Sequence, residues 1–286
     1  MRFTGCAELL TAVFLTAFVL PAGASSAGTR IEFSSLDTSH PHQLSGTLYL
    51  PENASAPSPA IVLVHGTAGI DMRNELYREP FLKEGIAVFE VDFKTGIFTS
   101  PMNRPAIDTF TPMAFAALKE MRKLPTIDPK RIGIMGFSLG GAITLRTSVM
   151  DEIKQWMGEE KGFAVHVGFY PVCKVFIPVV EKTTSGLDGM PMIVFYGTKD
   201  SYGDGKAAPE LKTLLKTKYN FDLSTVEYPG ATHGFNRNAP SMTYPDPGAT
   251  HMIGHMEWNP DATNDSLTKV VEFLHQNLTL SSPRLP

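Results

Sequence analysis

Two cysteines occur in 286 residues. Cys6 precedes an apolar N-terminal run, and Cys173 stands alone beyond it. With the first removed, no internal disulfide is available, so an apolar core must hold the chain together. Cys173 is expected to pack as a small hydrophobe. A basic excess is also lacking. The net charge of -4 argues against a nucleic-acid groove, which needs an electropositive face, and no long run of like charge marks an interaction tail. The one extended apolar run, Leu9 to Leu20, is too short for a comfortable membrane span. What is present suits a large globular α/β domain: 43% hydrophobic and 19% charged residues, enough for a sizeable core and against disorder as the main state.

The N-terminus has the layout of a secretory leader: Arg2, the apolar run, then small residues at Pro21-Ala22-Gly23-Ala24. Residues 1–24 are expected to be a signal peptide cleaved near Ala24, and 25–286 a single domain. The mature chain would then be exported, periplasmic or extracellular, without stable membrane insertion.

Beyond the leader, apolar strand patterns alternate with helical ones. Thr29 to Leu36 and Leu44 to Leu50 read as an antiparallel pair; in the second, Leu44, Gly46, Leu48 and Leu50 alternate with polar positions. Ala60 to Val64 and Ile86 to Val91 are continuous apolar runs, as expected for strands covered on both faces. Further strands are expected at Ile132 to Met135, Phe163 to Tyr170, Pro191 to Tyr196 and Leu223 to Tyr228. Helices are expected at Met72 to Lys83, Ala106 to Leu124, Ala142 to Val149, Lys206 to Lys218 and Asp261 to Leu278. This alternation gives a mostly parallel twisted sheet of about eight strands with helices on both faces.

The pattern that organises the rest is Gly136-Phe137-Ser138-Leu139-Gly140, a G-x-S-x-G between a strand and a helix. That context puts a serine at the tip of a tight turn, as a nucleophile elbow requires. A serine hydroxyl needs a base within reach and an acid to orient the base. After the next two strands come Asp200, in Gly197-Thr198-Lys199-Asp200, and His233, in Gly230-Ala231-Thr232-His233. Both follow strands whose C-terminal ends form the edge where such sheets build their sites. Asp204 is the alternative acid; His251, His255 and His275 follow no strand. The backbone N–H of Leu139 is expected in the oxyanion hole. Its second donor is expected in His65-Gly66-Thr67-Ala68-Gly69, with Thr67 ahead of Ala68. His65 reads as structural.

These residues bring a family into view. Val64-His65-Gly66, the elbow through Gly141, Tyr196-Gly197-Thr198-Lys199-Asp200 and His233-Gly234-Phe235 make the chain resemble the dienelactone hydrolase family of α/β-hydrolases from about Arg30 onward. The resemblance implies the eight-stranded hydrolase fold, with Ser138 as nucleophile, Asp200 as acid, His233 as base, and no cofactor or metal. Dienelactone hydrolases proper carry cysteine in the elbow, and a glutamate where this chain has Gly66. Serine at 138 moves the expectation from dienelactones to a broader class of carboxylic ester or lactone. The family's two arginines for a substrate carboxylate suggest Arg237 for one and Arg104 for the other.

Asn238 to Trp258 is long for a link to the last helix. It begins beside the base, so it would wall the pocket, with Trp258 and nearby methionines offering apolar contact. His251 and His255 have metal-ligand spacing, yet a third ligand is not evident, and a packed surface loop is the expectation. The overall reading is an exported serine esterase acting on a small-molecule ester. A peptidase or acyltransferase on the same triad, or a catalytically silent binding protein, are the alternatives.

Overall fold

The computed structural model describes residues 27–52, 57–93 and 105–279. The expected signal peptide, Arg104 and most of the loop leading to it lie outside the described residues. One sheet has eight strands: β1 Thr29–Ser34, β2 Gln43–Tyr49, β3 Ser58–Val64, β4 Ala87–Asp92, β5 Ile127–Phe137, β6 His166–Phe169, β7 Met192–Gly197 and β8 Ser224–Tyr228. Their order is β1-β2-β4-β3-β5-β6-β7-β8. β1 and β2 pair antiparallel and β2 joins β4 antiparallel; every later pairing is parallel. This is the α/β-hydrolase arrangement.

The core follows from period-two alternation in strands buried on both faces. In β3, Val62 and Val64 pack on one side with Met113 and Phe115 of helix α2 (Thr111–Arg122). Ile61 and Leu63 pack on the other with Tyr77 and Phe81 of α1 (Met72–Lys83). Helix α3 (Leu139–Arg146) leaves the elbow, followed by α4 (Met150–Met157), α5 (Ile177–Lys182), α6 (Asp204–Tyr219) and α7 (Pro260–Leu274). Cys173 lies fully buried in the apolar cluster under α6, and burial pushes its thiol well up, as suits a hydrophobe rather than a nucleophile.

Three local expectations need correction. The helix after the elbow ends at Arg146 rather than Val149, because the Thr147 and Ser148 hydroxyls bond the Thr144 and Leu145 carbonyls and the chain restarts as α4. Helix α7 gives way after Leu274 to a wider π turn at His275–Thr279. Within 238–258 there is a second small sheet, β9 (Met242–Pro245) against β10 (Ile253–Met256), where a loop was expected. The Asp246 carboxylate accepts from the Gly248 N–H and turns that hairpin, an Asx-type turn.

Candidate active site

The elbow is built by close approach. A Cβ on Gly136 would lie 2.2 Å from the Gly140 carbonyl group, and one on Gly140 would lie 2.3 Å from the Val64 oxygen. Only hydrogen fits at either position. Between them the chain reverses at Ser138, with φ 53 and ψ -114, a region that costs of order 1–3 kcal/mol for a residue with a side chain. The Ser138 N–H is committed to the Phe169 oxygen at 2.9 Å. Leu139 opens α3, so its N–H has no partner within the helix.

Asp200 follows β7 and His233 follows β8, and the three side chains meet. Ser138 Oγ is 2.8 Å from His233 Nε2, and His233 Nδ1 is 2.8 Å from Asp200 Oδ2. A carboxylate only accepts, so Nδ1 carries the proton in the neutral ring and Nε2 is left to accept from Ser138. The other Asp200 oxygen accepts the Tyr202 N–H at 2.6 Å. The His233 and Asp200 side chains are both fully buried, which strengthens their mutual field by excluding water. Two tyrosine rings hold the imidazole. Tyr170 meets it edge-on, with centroids 4.7 Å apart, and Tyr202 lies 4.2 Å away.

Asp204, the alternative acid, turns elsewhere. Its oxygens accept the Val172 and Cys173 N–H groups at 2.8 and 2.6 Å, pinning the chain after β6 to the start of α6. Burial, with the charge of Asp200 added, raises its carboxyl to about 7. His65 is structural in a definite way. Its Nε2 accepts the Phe93 N–H at 3.0 Å, so Nδ1 donates to the Gly66 oxygen at 2.6 Å, and the ring joins the loops after β3 and β4. Thr67 and Ala68 are the central residues of a turn closed by Gly69 N–H to Gly66 O at 3.0 Å. A Cβ on Gly66 would stand 3.5 Å from the Ser138 Cβ, so this turn lies beside Ser138.

Arg237 is half-buried, and its charge helps hold the Asp71 carboxyl below the usual range. Burial there acts upward, and the hydrogen bonds and charge of Arg73 outweigh it. Trp258 is 41% exposed just past β10. The His251 and His255 rings lie on a 3-10 turn and on β10, and His255 Nδ1 pairs with the Thr243 hydroxyl. Among the described residues no group of three or more His, Cys, Asp or Glu is placed to hold a metal ion.

Tyr170, Tyr202 and Arg73 were not among the sequence candidates. Tyr202 was the most accessible of them, two residues after the acid. Its hydroxyl donates to Asp246 at 2.6 Å and ties the β9–β10 hairpin to the acid loop. A bridge between His233 and Met256 brings the same hairpin to His233.

A strand-order reversal, a strained serine at the tip of β5 and a Ser-His-Asp line across the carboxyl ends of β5, β7 and β8 define the class as α/β-hydrolase. Within it the chain belongs to the dienelactone hydrolase family, whose model matches residues 44–278. Among solved structures it is similar to esterase 2 of Thermogutta terrifontis phosphorylated by paraoxon, with a TM-score of 0.61 and 17% identity over 91% of this chain and 98% of that one. It is also similar to a dienelactone hydrolase-like promiscuous phosphotriesterase from metagenomic libraries, with a TM-score of 0.60 and 17% identity over 88% and 99%. At such identities the likeness speaks to the fold. Esterase FrsA of Vibrio vulnificus is 27% identical over 36% of this chain and 24% of its own length. The quorum-quenching protein AidA of Acinetobacter baumannii is 32% identical over 42% and 39%. The chain therefore spans about a quarter to two-fifths of these relatives' lengths.

Proposed function

We propose that the protein is a serine hydrolase that cleaves a carboxylic ester or lactone through an acyl-enzyme. The observation that carries this is the unbroken line from Ser138 Oγ through His233 to Asp200, both contacts 2.8 Å. Family membership and the esterase names of several relatives support the reaction class. In the first step Ser138 Oγ attacks the carbonyl carbon while its proton passes to His233 Nε2. Asp200 stabilises the imidazolium and keeps its orientation. The oxyanion that develops is met by the amides of Leu139 and Thr67. Collapse expels the alcohol, which takes the proton from Nε2, and leaves an ester on Ser138. Water, deprotonated by the same nitrogen, then attacks that ester and releases the acid.

Arg237 and Trp258, at the two ends of the 238–258 segment, are proposed to contact the substrate, Arg237 as partner for an anionic group and Trp258 as apolar wall. The leader supports a second part of the proposal, export with loss of residues 1–24. N-terminal sequencing of the exported chain tests it. The reaction is tested with p-nitrophenyl acetate. The wild type should release a burst of nitrophenol equal to the enzyme concentration and then a slower steady rate, and Ser138→Ala should show neither. Equal turnover by the two proteins, or none by either, sinks the proposal.

A further inference from the structure

Arg73 is a guanidinium with 3% of its side chain exposed, and among the described residues its side-chain hydrogen bonds go to Asp71 and Tyr170 rather than to Ser138, His233 or Asp200. Its Nε and Nη2 donate to the two Asp71 oxygens at 2.9 and 2.7 Å, and its Nη1 donates to the Tyr170 hydroxyl at 3.0 Å. From there a single file of hydrogen bonds crosses the protein. The Tyr170 hydroxyl donates to Asn236 Oδ1 at 2.6 Å, and Asn236 Nδ2 donates to the Tyr77 oxygen at 2.8 Å. The Tyr77 hydroxyl meets Ser266 Oγ at 2.8 Å, and Ser266 donates to the Thr263 carbonyl at 2.8 Å. Both ends force the direction. A guanidinium only donates and a carbonyl only accepts, so each hydroxyl between them receives on one side and gives on the other. The Asn236 amide is left one orientation. Tyr77, Tyr170, Asn236 and Ser266 are all fully buried. Turning any one of them would face buried donor to donor, which makes the file stiff.

Where the file runs matters more than its length. Asp71 caps α1 directly after the loop that carries Thr67, and a Cβ on Gly66 would lie 3.7 Å from Arg73 Nη2. Tyr170, held at φ 36, presents its ring edge-on to the His233 ring. Asn236 is three residues beyond His233, in the turn that follows it. An ion pair that takes a guanidinium out of water, as this one does with Asp71 left 22% exposed, is seldom better for stability than an apolar packing of the same volume. Here it sits between two loops whose separation must be right to about an ångström for a shared reacting atom.

We propose that the Arg73–Tyr170–Asn236 file is a positioning device that fixes the oxyanion loop and His233 relative to each other. Its residues act through the loop and the base, without touching substrate. The inference rests on the triad reading above.

Two substitutions test it, each assayed with p-nitrophenyl acetate well below its own melting temperature. Tyr170→Phe removes the hydroxyl that joins Arg73 to Asn236. Asn236→Leu removes the next member at similar volume. Each should lower kcat by roughly 10- to 100-fold with KM within about twofold, because orientation is lost while the binding surface stays. The double variant should be no slower than the worse single, within about twofold, since both break one unit. Ser266→Ala, at the far end, should stay within about threefold of wild type. The proposal is overturned if the first two variants melt lower but keep kcat within twofold, if the loss falls on KM alone, or if the two losses multiply. Should Tyr170→Phe fail to fold, Arg73→Lys, which keeps the charge and loses the fork, carries the same expectation and the same refutation. Ser138→Ala run alongside separates the two levels. Full turnover by that variant refutes the triad reading itself, whereas a dead Ser138→Ala beside a fully active Tyr170→Phe refutes only the positioning file.

Discussion

Adding one methyl group at Gly136 should disable the site without touching any member of the triad. A Cβ there falls 2.2 Å from both the carbonyl carbon and oxygen of Gly140 and 2.8 Å from the Gly141 nitrogen. All three are backbone atoms, so no side chain can swing aside, and the elbow has to open by about an ångström to reach ordinary contact. Gly140 has little room to retreat, because even a Cβ on it would lie 2.3 and 2.7 Å from the Val64 and His65 oxygens of β3 and the loop after it. The strain is therefore passed to Ser138, which is at φ 53 with little conformational slack. Overpacking of this kind costs about 1–3 kcal/mol of stability. Misplacing a nucleophile by about 1 Å costs on the order of 100-fold in rate. Gly136→Ala should accordingly lower kcat for p-nitrophenyl acetate by about two orders of magnitude, with a melting temperature a few degrees lower. Gly158→Ala is the control. Gly158 has φ 65 and ψ -121, close to the angles of Ser138, and nothing within 4 Å of an added Cβ, so it should cost about 1–3 kcal/mol through backbone strain alone and leave the rate unchanged. A folded Gly136→Ala protein with a rate within threefold of wild type would refute the close-packed elbow as the device that sets Ser138.

The remaining predictions concern the triad and its neighbours. Asp200→Asn should lower kcat by about 10⁴-fold with little loss of fold, because an amide reverses the hydrogen bond that sets the His233 tautomer; a loss under tenfold would contradict that role. Asp204 should make the protein less stable as pH rises from about 4 to 7. Its folded carboxyl titrates at about 7 against an ordinary value of 3.8. In that window the folded state holds a proton the unfolded state has lost, so its contribution is full below the lower value and disappears through the upper one, at up to about 1.4 kcal/mol per pH unit. Urea denaturation of wild type and Asp204→Asn from pH 4.5 to 7.5 reads this as a pH-dependent difference between the two; a constant difference refutes it. Tyr202→Phe leaves the buried Asp246 carboxylate without the hydroxyl bonded to it at 2.6 Å. It should cost about 1–3 kcal/mol, with faster amide exchange concentrated in β9 and β10; uniform exchange across the chain would contradict the hairpin's anchorage at Tyr202.

The sheet and the meeting of Ser138, His233 and Asp200 at its edge were legible for the same reason. Doubly covered strands such as β3 read as unbroken apolar runs, and a strand followed by a glycine-bounded serine has few other meanings. Asp200 and His233 were found by position, each just past a strand end, and the structure brings both to Ser138. The antiparallel opening of the sheet was visible in the alternation of β2. What the sequence hid was chiefly long-range polar geometry. The Arg73 file joins residues up to 189 positions apart, and none of its members belongs to a local pattern. Asp200 and Asp204 look interchangeable four residues apart; helix α6 begins at the second and turns it toward the Val172 and Cys173 amides, away from the base. The β9–β10 hairpin was missed because its strands are four residues long and only Gly254 among them is buried, which leaves little hydrophobic alternation to read.

The central claim is that Ser138 is the acylated nucleophile. Labelling the protein with a fluorophosphonate and mapping the adduct by peptide mass spectrometry tests it most directly. One adduct per chain is predicted, on the peptide bearing Ser138, with esterase activity lost in proportion to labelling and no adduct in Ser138→Ala. Undiminished ester turnover by a protein fully labelled at Ser138, or labelling and turnover that survive in Ser138→Ala, would contradict the claim.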